Sequence, residues 1–164
     1  ASADKVGTQR YREDYTETTG TELVTNGDFA TDIDWTKGTD TTISGGFMNF
    51  SNATSGSYQT GVTTSNVVYS VTYTVSNYSA GTIGVTLNGT PASDGIIRSS
   101  NGTFTEIIQS PPTSFGTVLF NVVGFTGSID NVSVKEVTGN SYVDMCMKTG
   151  ETTYAWTNIT QNNW

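Results

Sequence analysis

Between Val67 and Ser76 the side chains alternate without a break, with Val67, Tyr69, Val71, Tyr73 and Val75 on one side and Val68, Ser70, Thr72, Thr74 and Ser76 on the other. A helix would scatter these valines and tyrosines around its circumference. A strand gathers them on one face, so the stretch is predicted to be a half-buried antiparallel strand whose Tyr and Val side meets a core. Ile83, Val85 and Leu87 repeat the pattern up to Asn88-Gly89, a pair favoured in tight hairpin turns, and 103–109, 117–123 and 128–137 read as further strands. About eight short strands divided by turn residues imply a sandwich or jelly roll.

The composition excludes several functions. Charged residues make up 13% of the 164, about half the usual share, and Thr, Ser, Asn and Gly take their place. The net charge is −8, and 21–137 hold nine acidic and three basic side chains, so most of the excess sits there. No nucleic-acid partner is expected, because phosphate neutralisation needs clustered Lys and Arg, and anionic membrane surfaces are disfavoured likewise. No apolar run approaches the roughly 18 residues of a membrane-spanning helix. The chain has no histidine, which removes the commonest general base and the usual Ser and Cys triads. Its single cysteine, Cys146, cannot form an internal disulfide and reads as a small hydrophobe in a strand. Carboxylates at Asp28, Asp32, Asp34, Asp40, Asp94, Glu106 and Asp130 could in principle support acid–base hydrolysis, but most neighbour turn residues, so no enzyme is expected.

Glu22-Leu-Val-Thr-Asn-Gly-Asp-Phe29, followed by Trp35, stands about a hundred residues before Gly127-Ser-Ile-Asp-Asn-Val-Ser-Val-Lys-Glu-Val137. This pair resembles the end motifs of jelly-roll modules in the carbohydrate-binding-module superfamily, and its wording is similar to copies in tail, fibre and head-decorating proteins of tailed bacteriophages. Tyr142-Val-Asp-Met-Cys-Met-Lys-Thr-Gly-Glu-Thr-Thr-Tyr-Ala-Trp156 resembles a short C-terminal segment of phage virion proteins. The expected fold is therefore an all-β jelly-roll β-sandwich over 21–137, with an extended N-terminal docking arm (1–20) and a C-terminal β-hairpin and tail (138–164). The resemblance implies a structural protein on the virion surface, decorating or cementing a capsid or fibre. Its expected partners are major capsid or tail subunits and copies of itself, as a trimer. The alternative is a glycan-binding module, for host attachment or from a secreted bacterial enzyme.

The same resemblance implies a structural calcium held by Asp130 with Asp28 beside it, although Ala30 stands where the family pattern often has Glu. Trp35, Tyr58, Tyr78 and Phe115 are the aromatic candidates for a cell-surface glycan, whereas Tyr69 and Tyr73 fall on the core side and Thr82, Gly84 and Thr86 offer no stacking ring. Tyr11 and Tyr15 in the arm, with Tyr154, Trp156 and Trp164 in the tail, read as interface anchors, since Trp and Tyr supply much of the energy of protein interfaces.

Overall fold

The computed structural model describes residues 9–12, 18–138, 142–148 and 154–158, with backbone only in the terminal strands. Among these residues there are eleven strands and no helix: β1 Gln9–Arg12, β2 Thr18–Glu22, β3 Thr41–Ser44, β4 Phe47–Ala53, β5 Ser57–Thr60, β6 Val68–Thr90, β7 Ser93–Asp94, β8 Gly102–Gln109, β9 Thr113–Thr138, β10 Tyr142–Lys148 and β11 Tyr154–Asn158. The chain divides into two compact units, one of 19–137 and one of 1–18 with 138–164.

In the larger unit the predicted alternation holds: Tyr69, Val71, Tyr73 and Val75 are buried while Ser70, Thr72 and Thr74 are partly exposed. The strands were expected to be short and separate, yet β6 and β9 each run on through two of the predicted strands. They form an antiparallel ladder from Tyr69↔Glu136 to Thr90↔Thr113. Ser76 to Gly81 bends β6 without ending its pairing, with register shifts on either side of Ala80. Gly81 has φ +74°, and a β-carbon there would lie 2.2 Å from the Gly124 carbonyl oxygen, so the two bends cross backbone to backbone and only glycine fits.

The ladder thus has two halves, both antiparallel. Beside the first, β4 pairs with β9 through Met48↔Ile129, β3 pairs with β4, β2 joins β9, and β8 lies along β6 from Val68↔Gln109 to Val75↔Gly102. Beside the second, β5 pairs with β9 through Tyr58↔Leu119 and β7 with β6 through Thr86↔Asp94. The inner faces of the halves pack on one another: the Tyr73 ring stands edge-on to Phe120 at 5.2 Å, and Trp35 and Phe120 centroids are 6.0 Å apart. One core of buried apolar side chains results, as a sandwich-like all-β fold requires.

Asn88-Gly89 is not a turn. Asn88 pairs with Thr117 and Gly89 with Ser114, and β6 continues to Thr90 before reversing at Pro91, which has no N–H to extend the ladder. The hairpin signal was real chemistry in the wrong place, because the long partner β9 keeps Asn88 occupied.

In the smaller unit, β10 and β11 make the predicted hairpin, with Cys146 opposite Trp156 and Lys148 opposite Tyr154. The arm, expected to be extended and to dock, contributes β1, which pairs with β10 from Gln9↔Met145 to Arg12↔Tyr142. A third strand answers the marginal stability of a lone hairpin.

Candidate functional site

The outward face of the second half is built by register. Ile83, Val85 and Leu87 of β6, and Val118, Phe120 and Val122 of β9, are buried in the core, so Thr82, Gly84 and Thr86 and their partners Val123, Asn121 and Leu119 share the opposite face. Tyr58 extends the Leu119 row on β5, and Asp94 closes it on β7. A shallow groove of about 190 Å³ lies here, with Gly84, Thr86 and Asn121 on its floor and Ile97 and Val123 beside it. Ile97 is 69% and Val123 72% exposed.

One wall of the groove is the segment after β7. Backbone bonds fasten it to β6: Gly95 N–H to Val85 O at 2.8 Å, Arg98 N–H to Ile83 O at 2.7 Å and Ile83 N–H to Arg98 O at 3.0 Å. Glu106 secures it from below. On β8 this residue falls in the inward row between Phe104 and Ile108, where a hydrophobe would be usual, and it is only 8% exposed. Its carboxylate accepts from the Ile96 N–H at 2.6 Å and from Arg98 Nη2 at 3.1 Å, while the guanidinium lies 4.4 Å from the centre of the Phe104 ring. A buried charge without such partners would be strongly destabilising. Gly95 lets the segment come this close, since a β-carbon there would be 2.5 Å from Glu106 Oε2.

On the floor, Asn121 Nδ2 donates to Thr86 Oγ1 at 2.7 Å, and Thr86 Oγ1 donates to Asp94 Oδ1 at 2.7 Å. The same core region holds Tyr73, whose hydroxyl has no protein hydrogen-bond partner. Its pKa is pushed up to about 12, chiefly by burial and then by the Glu106 charge, with Arg98 acting in the opposite direction.

The four glycan candidates lie apart in role. Trp35 is 7% exposed, tilted against Phe29 at 5.5 Å and Phe120 at 6.0 Å, with its indole N–H donating to Asn26 O at 3.2 Å. That is a core ring with its polar handle satisfied. Tyr78 is half-buried beside Phe125 and donates its hydroxyl to Gly81 O at 3.2 Å. Tyr58 is half-buried and stands on the groove face, and Phe115, in β9, is 58% exposed.

Asp28 and Asp130 flank the place where Val132 N–H donates to Gly27 O at 2.9 Å. Asp28 Oδ1 accepts from Ala30 N–H at 3.3 Å, while Asp130 accepts from the Asn131 N–H at 2.6 Å and its side-chain amide at 2.9 Å. Among the described residues no three His, Cys, Asp or Glu side chains gather as metal ligands. Calcium takes six to eight oxygens, and two carboxylates occupied by their own neighbours are a poor fit for it.

Tyr11, Tyr154 and Trp156 lie in β1 and β11, where only the backbone is described, and Tyr15 and Trp164 lie outside the described residues. Sequence reasoning missed Asn121, Val123 and Ile97. The outward series Thr117, Leu119, Asn121 and Val123 carried a period-2 signal with two apolar members on the solvent side, whereas Ile97 lies in a stretch without periodicity.

No protein-family model matches this chain, and no curated protein matches it.

Proposed function

We propose that this chain is a non-enzymatic surface protein of a bacteriophage virion, displaying 19–137 as a jelly-roll module and attaching through the unit built from its two ends. The observation that carries this reading is the sheet β1-β10-β11: residues from both ends of the sequence join in a unit of their own. A three-stranded sheet needs a covered apolar face to be stable, and the anchors Tyr11, Tyr154 and Trp156 belong to its strands. Other virion subunits, and copies of this chain in a trimer, are the proposed cover. The acidic, hydroxyl-rich module suits display, because like charge keeps particles apart.

Deleting 1–17 removes β1 and spares β2. The truncated chain should keep the module's melting transition but fail to enter particles, and incorporation at the wild-type level would refute the docking role. Attachment to a host-surface glycan is the second reading, favoured by the exposed Phe115 ring and by Tyr58 beside the groove.

A further inference from the structure

The groove over Gly84 has a chemical preference of its own. One hydrogen of Asn121 Nδ2 goes to Thr86, whose own hydrogen goes to Asp94 Oδ1. Asp94 Oδ2 remains as an acceptor with no protein donor among the described residues, while Asn121 keeps a second amide hydrogen and an Oδ1 that lies on the Gly56 side. Ile97 and Val123 present aliphatic surface to solvent beside them, and Gly84, lacking a side chain, lets the Ile96–Ile97 backbone lie close over β6. The charged group open at the groove is thus a carboxylate oxygen, next to bare methyl groups.

Charge selects between possible occupants. Of the three cations in 21–137, Lys37 is paired with Asp32 and Arg98 with Glu106, while Lys135 is opposite Ser70 in the other half of the ladder. Asp94 has no ion-pair partner among the described residues, in a unit that is strongly acidic overall. A sugar wants an aromatic platform, which this floor lacks. An ammonium on an aliphatic stem brings three donors and no acceptor. The stem can lie on aliphatic surface while the head reaches the carboxylate.

We propose that this groove seats a lysine side chain of a partner protein, with its stem along Ile97 and Val123 and its ammonium on Asp94. This surface is independent of any docking role of β1, β10 and β11, so the two can fail separately. The attraction belongs to a solvent-facing ion pair, weak alone and additive when many copies line one surface.

The test titrates the full-length, isotope-labelled chain with Nα-acetyl-lysine methylamide, following the backbone amides of Gly84, Gly95, Ile97 and Val123 by NMR. The same compound acetylated on its ε-nitrogen keeps the stem and loses the charge, and methyl glucoside serves as the sugar probe. Shifts confined to those amides should appear with the lysine compound, fade as salt rises, and weaken about fivefold in Asp94→Asn. That variant retains the shape and the Thr86 bond, and Val123→Thr, equally conservative, should weaken binding through the stem alone. Equal shifts from the acetylated compound, an unchanged affinity in Asp94→Asn, or a response to methyl glucoside with none to lysine would each overturn the proposal.

Discussion

Replacing Tyr73 with Phe should stabilise the protein. The side chain is completely buried, packs edge-on to Phe120 and tilted on Phe104, and its hydroxyl makes no hydrogen bond of regular geometry, although the Glu106 carboxylate and the Arg98 guanidinium stand near enough to act on its proton. A buried hydroxyl without a partner costs about 1–3 kcal/mol, and Phe keeps the ring contacts while removing that cost. Allowing for imperfect repacking, Tyr73→Phe is expected to gain about 1 kcal/mol at neutral pH, a rise of roughly 4 °C in melting temperature for a unit of this size.

The alkaline limb provides a second reading of the same group. Below pH 10 both folded and unfolded chains hold the phenolic proton, and it contributes nothing to pH dependence. Between pH 10 and about 12 the unfolded chain loses the proton while the folded one keeps it. The unfolded state then binds fewer protons, so stability falls as pH rises, by about 1.4 kcal/mol per unit and at most about 2–3 kcal/mol in all. Urea unfolding of both proteins at neutral pH and at several points across this window gives both quantities. A Phe variant weaker than the parent by about 1 kcal/mol or more at neutral pH would show that the hydroxyl is satisfied by Glu106 or Arg98, and an undiminished alkaline slope would show that burial does not hold its proton.

Glu106→Ala should cost about 1–3 kcal/mol, because it strips the partly exposed Arg98 guanidinium and the Ile96 N–H of their acceptor at once, and hydrogen exchange should quicken at Ile96 and Arg98. Chelator should leave the melting temperature unchanged, since Asp28 and Asp130 are engaged by their own segments; a clear fall would restore a structural cation at that join.

The alternation from Val67 to Ser76 fixed the class of fold and the sidedness of the core, because a period of two survives any tertiary arrangement. The same signal was blind to continuity. Nothing local distinguishes a bend that keeps its partner from a turn that loses it, so β6 and β9 each read as two strands, and Asn88-Gly89 read as a reversal. Trp35 was a glycan candidate by residue type alone, and the structure places it in the core against Phe29 and Phe120. Glu106 was invisible as a core residue, since its burial depends on Arg98 and Ile96 arriving from a loop. Ile97 was hidden for the same reason, and with it one wall of the groove.

The shared ladder of β6 and β9 governs how the module can fail. Each of these chains of peptide groups serves as an interior member of both layers, so neither layer can be stripped away while its counterpart survives. A cut or a proline anywhere near the paired bends at Gly81 and Gly124 would therefore release the two layers together. Loss of structure is a single event, with no half-open form left to linger sticky-side out.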